Sequence, residues 1–223
     1  MKAKPGSAEA VDAIAPADPL PDTSRRRTGQ ARRGNTRAAL VRCGTQMCTE
    51  RGFHATGIEE VLRRVGIPKG SFYHYFASKQ AFGEAVIDDY ARYFAGKLDR
   101  TLGDTARKPL DRLAAFAEDA QDGMARHHFK RGCLVGNLGQ ELGGLNDAFR
   151  DRLESVLLSW QRRTAACLQA AQTAGEIRKN LDVHELAEFF WIGWEGAILR
   201  AKLSQDTAPM ELFMRLFLAS VRG

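Results

Sequence analysis

Residues Phe53 to Lys79 read FHATGIEEVLRRVGIPKGSFYHYFASK, and this stretch decides the fold. Thr56-Gly57-Ile58-Glu59 has the spacing of a capping box, in which the Thr hydroxyl accepts from the backbone N–H three residues on and the Glu reaches back. Ile58, Val61 and Leu62 recur at helical spacing and make one buried stripe. In Val65-Gly66-Ile67, Gly66 is free to take the left-handed conformation that stops a helix. Pro68 is preset for a first helical turn, so a second short helix begins within about three residues. Two helices joined so tightly form a helix-turn-helix. In the second helix Phe72 and Phe76 face inward, which leaves Lys69, Ser71, Tyr73 and His74 on the opposite side, where they can hydrogen-bond to a duplex. A helix of about seven residues with small and polar side chains at its front fits the DNA major groove. Ser78 caps the next helix and leaves the Lys79 ammonium free to sit beside a phosphate.

Upstream, Leu40, Val41, Gly44, Met47 and Cys48 keep the pattern of a core-facing helix between about Thr36 and Arg51. Gly52 ends it and Phe53 folds back into the core. Residues 1–30 hold four of the seven prolines and no helical stripe, the composition of a disordered tail. Arg25, Arg26, Arg27, Arg32, Arg33 and Arg37 cluster just before the first helix, as an arm that neutralises phosphates and enters the minor groove, or as a solvated charge run. The net charge of +6 suits a polyanionic partner. No apolar run approaches the length of a membrane span. Four cysteines without CxxC spacing, and no signal peptide, predict reduced thiols and a cytoplasmic location.

Downstream, the chain reads as helical throughout, so the fold class is all-α. A long helix from Ser78 to about Leu102 carries Phe82, Val86, Tyr90, Phe94 and Leu98 on one stripe. Pro109 starts a helix running to about His128. Asn137 with Gln140 has the spacing of another helix cap, and Asn146 opens a long helix to about Ala174. Asp182 with Glu185 caps a helix that is apolar around most of its circumference: Leu186, Phe189, Phe190, Trp191, Ile192, Trp194, Ile198 and Leu199. Pro209 starts the last, with Leu212, Phe213, Leu216 and Phe217. Two such helices pair with their copies in an intersubunit four-helix bundle, and a dimer presents two short helices to a near-palindrome.

The run ERGFHAT, the turn RVGIPKGSFYHYFASKQAF and the helical remainder resemble the TetR family of ligand-responsive transcriptional regulators. The resemblance implies a helix-turn-helix domain over residues 31–80 and a helical ligand-binding and dimerisation domain over residues 81–223. It implies a homodimer that binds a double-stranded operator, usually as a repressor, and leaves it when a small molecule occupies the second domain. Carried over by position, Lys69, Gly70 and Ser71 approach base edges or nearby backbone, and His74 lies in or beside the groove. Tyr73 and Lys79 hold phosphates, Thr56 and Gly57 offer backbone N–H groups to a phosphate, and Arg37 belongs to the basic arm. Candidate lining residues of the effector cavity are Cys133, Asn137, Gln140, Trp160, Trp191, Trp194 and Glu195.

The run RGCLVGNLGQEL resembles the branch of the family that responds to small unsaturated or electrophilic compounds, acrylate included. Lys130 and Arg131 beside Cys133, with a helix start just after it, favour the thiolate and hence covalent sensing. Against that, a free cysteine is most often a small buried hydrophobe, and an acrylate-type ligand can bind reversibly. No HExxH, phosphate-binding glycine loop or nucleophile elbow is present, and adjacent His127 and His128 point about 100° apart on a helix, so neither enzyme chemistry nor a metal or cofactor is expected. A non-sensing architectural DNA-binding protein is the remaining alternative, disfavoured by the large second domain.

Overall fold

A computed structural model describes residues 29–222, with side chains from residue 33 onward. Residues 1–28 of the expected disordered tail, and with them Arg25, Arg26 and Arg27, lie outside the described residues, as does the side chain of Arg32; its last two residues, Gly29 and Gln30, are instead the start of a helix. Within them are α1 (Gly29–Arg51), α2 (Ile58–Val65), a 3-10 turn (Lys69–His74), α3 (Lys79–Leu102) and α4 (Pro109–Arg126). There follow α5 (Leu134–Leu142), α6 (Asp147–Thr173), α7 (Val183–Ser204) and α8 (Ala208–Val221). The described residues form an all-α fold without strands.

Local chemistry fixes several of the helix ends. Ser78 accepts from the N–H of Ala81, Asn146 from that of Phe149, and Asp182 from those of His184 and Glu185, so α3, α6 and α7 begin where side-chain caps stand. Gly52 (φ +85°) and Gly66 (φ +72°) close α1 and α2 in the left-handed region, which strains any residue bearing a side chain. Three expectations fail. Helix α1 starts seven residues before Thr36, at Gly29. Gly57 rather than Thr56 caps α2, because the Thr56 hydroxyl donates to the Gly52 carbonyl at 2.7 Å and so forms no capping box. Helix α5 starts at Leu134, which puts Asn137 inside it, where it cannot act as a cap.

A continuous apolar core joins the first three elements to the rest. Phe82 of α3 packs edge-on against Phe72 of the 3-10 turn (5.7 Å) and against Phe76 just after it (5.0 Å). At Gly44 of α1 a Cβ would collide with the Phe82 ring, so α1 and α3 need a side-chain-free crossing there. Phe53 meets Phe149 of α6 at 5.3 Å. Further along α3, Phe94 lies 4.4 Å from Trp160, which in turn lies 4.9 Å from Trp191. Lys97, buried on α3, pairs with Asp119 of α4. Helix α4 ends in two consecutive non-glycine residues at positive φ, His128 (51°) and Phe129 (55°), and the chain then enters α5. An isolated bridge between Ile177 and Arg222 ties the α6–α7 loop to the end of α8.

Candidate nucleic-acid interface and cavity

The turn from Pro68 to Phe76 turns its two phenylalanines inward and its polar side chains outward, as the four-residue spacing requires. Pro68 stands before the first turn with extended backbone, and the six residues after it form a 3-10 rather than an α-helix. Phe72 and Phe76 are buried; Lys69, Gly70, Tyr73 and His74 are exposed and Ser71 half-buried. Tyr73 is 71% exposed, too much for a core residue. Its ring stands edge-on to Phe72 at 5.4 Å, which holds it in place while its hydroxyl faces outward.

The surrounding cations are partly engaged within the chain. Lys69 pairs with Glu59 at 2.7 Å, both exposed. Arg37 stacks over the Phe76 ring at 4.9 Å, and Arg33 donates to the His74 carbonyl at 2.9 Å, so the start of α1 braces the turn. Lys79 is not free: its ammonium donates to the His54 carbonyl at 3.3 Å and sits 4.8 Å over the Phe53 ring. Thr56 is buried, and its N–H already donates to the Phe53 carbonyl at 3.1 Å; it therefore has no N–H to offer a phosphate. Gly57 remains at the exposed start of α2.

In the second domain a small cavity of about 20 Å³ lies among α3, α4, α7 and α8 and the N-cap of α5. Four of the seven residues expected to line it do so: Cys133, Trp191, Trp194 and Glu195. The other three do not. Trp160 is fully buried behind Trp191, Gln140 is exposed on the outer face of α5, and the Asn137 amide donates to the Thr49 carbonyl of α1 at 3.0 Å. Tyr90, Phe94, Phe116, Ala120, Met124, Ile198 and Met210 complete the wall; in the sequence nothing distinguishes them from ordinary core residues.

Electrostatics at the polar end of this cavity oppose a thiolate. Cys133 is buried, and burial followed by the nearby Glu195 carboxyl pushes its thiol well above the usual cysteine range. Arg131, expected to lower it, is held instead by Glu50 at 3.1 Å. Burial likewise raises Glu195 to about 7, against a smaller downward pull from the Cys133 thiol. Tyr90, also raised by burial, points its hydroxyl at the Cys133 sulfur 4.0 Å away.

The same run of sequence reaches the first domain. Glu141, near the end of α5, accepts from the Phe53 and His54 N–H groups at 2.7 and 2.6 Å and contacts His54 Nδ1 at 2.6 Å. The Gly132 N–H donates to the Thr49 carbonyl at 3.3 Å. Helix α5 thus touches the cavity through its N-cap Cys133 and clamps the α1–α2 corner through Asn137 and Glu141. Asn137 and Glu141 are four apart, so they share one face of α5, a spacing that was legible as a polar pair. Among the described residues no group of three His, Cys, Asp or Glu side chains is placed to hold a metal ion, and no helix is long and apolar enough to cross a membrane.

Comparison with known proteins agrees with both halves. Residues 42–86 match the family described as "Bacterial regulatory proteins, tetR family", and residues 109–217 match "Tetracyclin repressor-like, C-terminal domain". The chain is 49% identical over 208 residues to the transcriptional regulator AcuR of Cereibacter sphaeroides, covering 89% of this chain and 95% of that protein. It is 31% identical to the HTH-type transcriptional repressor NemR of Escherichia coli K12, covering 79% of this chain and 89% of NemR. A crystal structure of a regulatory protein TetR from Rhodobacter sphaeroides superposes with a TM-score of 0.80 at 50% identity, covering 83% of this chain and 98% of that one.

Proposed function

The chain belongs to the TetR family of transcriptional regulators, whose members are not enzymes, and from that premise we propose that it represses transcription as a homodimer on a near-palindromic operator and is released by a small unsaturated or carbonyl-bearing compound of the acrylate type. Tyr73, His74, Lys69, Gly70 and Ser71 meet the duplex in this reading, with Arg37, Gly57 and Lys79 at its edge. Lys69 exchanges Glu59 for DNA at little cost, since a surface ion pair contributes about 0–1 kcal/mol.

The observation that carries the sensing half is the position of α5, one short helix with the cavity at one end and the α1–α2 corner at the other. An effector that displaces the N-cap of α5 moves Asn137 and Glu141 with it, and so moves the corner that holds Lys79 at the start of α3. Release requires only that the effector bind the displaced state better by a few kcal/mol. A raised Cys133 thiol favours reversible over covalent occupancy, and a cavity linked through α5 to the DNA-binding unit favours a sensor over a purely architectural protein.

The dimer rests on a stripe of exposed apolar side chains along the last two helices. On α7, Phe189, Ile192, Leu199 and Leu203 are each more than half exposed, and on α8 Leu212 and Leu216 are about half exposed. Six large apolar residues left open along two adjacent helices suit a self-complementary four-helix seam. The experiment is a mobility shift on the DNA upstream of the gene against a random duplex, with acrylate titrated in. Specific binding that acrylate or a close analogue abolishes supports the proposal; equal affinity for both duplexes overturns it.

A further inference from the structure

The Glu195 carboxyl is the one acidic group lining the cavity, and its Oε1 is buried without any hydrogen-bond partner although the residue as a whole keeps some exposure. Its other oxygen lies against Gly136, where a Cβ would collide with it; any other residue at 136 would push the carboxyl away from α5. The titratable neighbours are Cys133 from the α5 cap and Tyr90 from α3, both neutral. Helices α4 and α8 present Met124 and Met210, and Lys202 on α7 itself lies two turns further on, beside Gly132. No residue lining the cavity carries a positive charge.

We propose that the cavity takes its effector through a carbonyl or carboxyl oxygen hydrogen-bonded by the protonated Glu195 carboxyl, so that a small carboxylate shares that one proton with it. This rests on the effector reading above and names its chemistry. An ionised Glu195 in this setting would be a buried charge with no compensating cation, which costs several kcal/mol, so the protonated form is favoured. Protonated, it is an O–H donor on the cavity wall with an oxygen left unpartnered, and a ligand oxygen is what completes it. A carboxylate ligand placed there sets two acids within hydrogen-bond distance, and such a pair cannot both be ionised; it holds one proton between them. The flat walls of Phe94, Phe116, Trp191 and Trp194 suit a short planar chain, and Met124 and Met210 are pliable enough to yield the volume that about 20 Å³ lacks. Aromatic walls beside a carboxylate also suit a small ammonium ion. That reading needs the carboxyl ionised, and one face each of Tyr90 and Trp194 is already stacked, on Phe94 and Phe190.

The test uses full-length protein without DNA and three probes: acrylate, butanone and allylamine. Binding is followed by tryptophan fluorescence and calorimetry between about pH 6 and about pH 9. The expected result is that acrylate and butanone bind, each weakening about tenfold per pH unit above about 7, with about one proton taken up per acrylate at the alkaline end. In Glu195→Gln, whose amide donates at every pH, butanone binding becomes flat with pH; the wild-type pH dependence stands as evidence even if that variant folds poorly. Acrylate binding at about pH 9 without proton uptake overturns the inference, as does allylammonium binding that tightens above about pH 7. Failure of acrylate and butanone to bind at any pH overturns it too. In each case the effector reading is judged separately, by operator release.

Discussion

Two residues carry the chemistry at the smallest scale. Glu195 has a folded pKa of about 7 against an ordinary value of 4.5, so the folded chain holds a proton the unfolded chain has lost across that window. Stability therefore falls as pH rises from about 4.5 to about 7, by at most about 3 kcal/mol. Chemical denaturation of wild type against Glu195→Gln will show it: the variant gains relative stability at pH 8 but not at pH 5 if burial of the acid is the cause, and parallel curves would refute this. Cys133 makes the matching prediction. A buried, neutral thiol alkylates far more slowly than the free amino acid at neutral pH, and mass spectrometry after iodoacetamide should find Cys133 unmodified until the protein is denatured. On the DNA side, Lys69 is exposed and held only by a surface ion pair. Lys69→Met should reduce the slope of log affinity against log salt by about one and weaken all sequences alike, which titration at several ionic strengths measures.

At the scale of elements, α5 matters most. Removing the Asn137–Thr49 or Glu141–corner hydrogen bonds should lower the ratio of operator affinities without and with effector by roughly 2- to 30-fold, the range of coupling changes of 0.5–2 kcal/mol. Anisotropy on Asn137→Ala and Glu141→Ala checks it; an unchanged ratio removes α5 from the linkage. Glu141 lies below its ordinary range: its backbone and side-chain bonds to His54 and its backbone bond to Phe53 outweigh the opposing burial cost, the largest single influence on it. Its contribution is present above about pH 4.5 and is lost as pH falls through the lower folded value. Elements are also where the limits of sequence reading lie. Ser78, Asn146 and Asp182 announce their helices because a cap is chemistry within three residues. Thr56 looks identical, yet its hydroxyl goes to Gly52 and its neighbour Cys48, a choice made by the packing of α1 on the turn. Asn137 fails as a cap because α5 already begins at Leu134, and its amide donates instead to Thr49, distant in sequence. In the cavity, Cys133, Glu195 and two tryptophans were legible because polar or large side chains interrupt an apolar stripe. Tyr90, Phe94 and Phe116 were not, since a wall residue and a core residue obey one helical period.

For the molecule as a whole, the exposed apolar stripe on α7 and α8 implies that the functional unit is a pair. Replacing Ile192 and Leu203 by Glu places two charges on that seam and should leave monomers at micromolar concentration, read by sedimentation, with operator affinity lost because each half-site is then bound alone. Dimers persisting in that variant would locate the interface elsewhere. The two ends of the mechanism, a polar turn and a small cavity joined by one short helix, meet in a single measurement. Anisotropy of labelled upstream DNA is recorded against a random duplex of equal length at moderate salt, before and after adding an effector that alters the fluorescence of Trp191 and Trp194. The predicted result is a marked preference for the upstream DNA that disappears over the same effector range as the fluorescence change; equal affinity for the two duplexes, or a preference that effector occupancy leaves untouched, would contradict it.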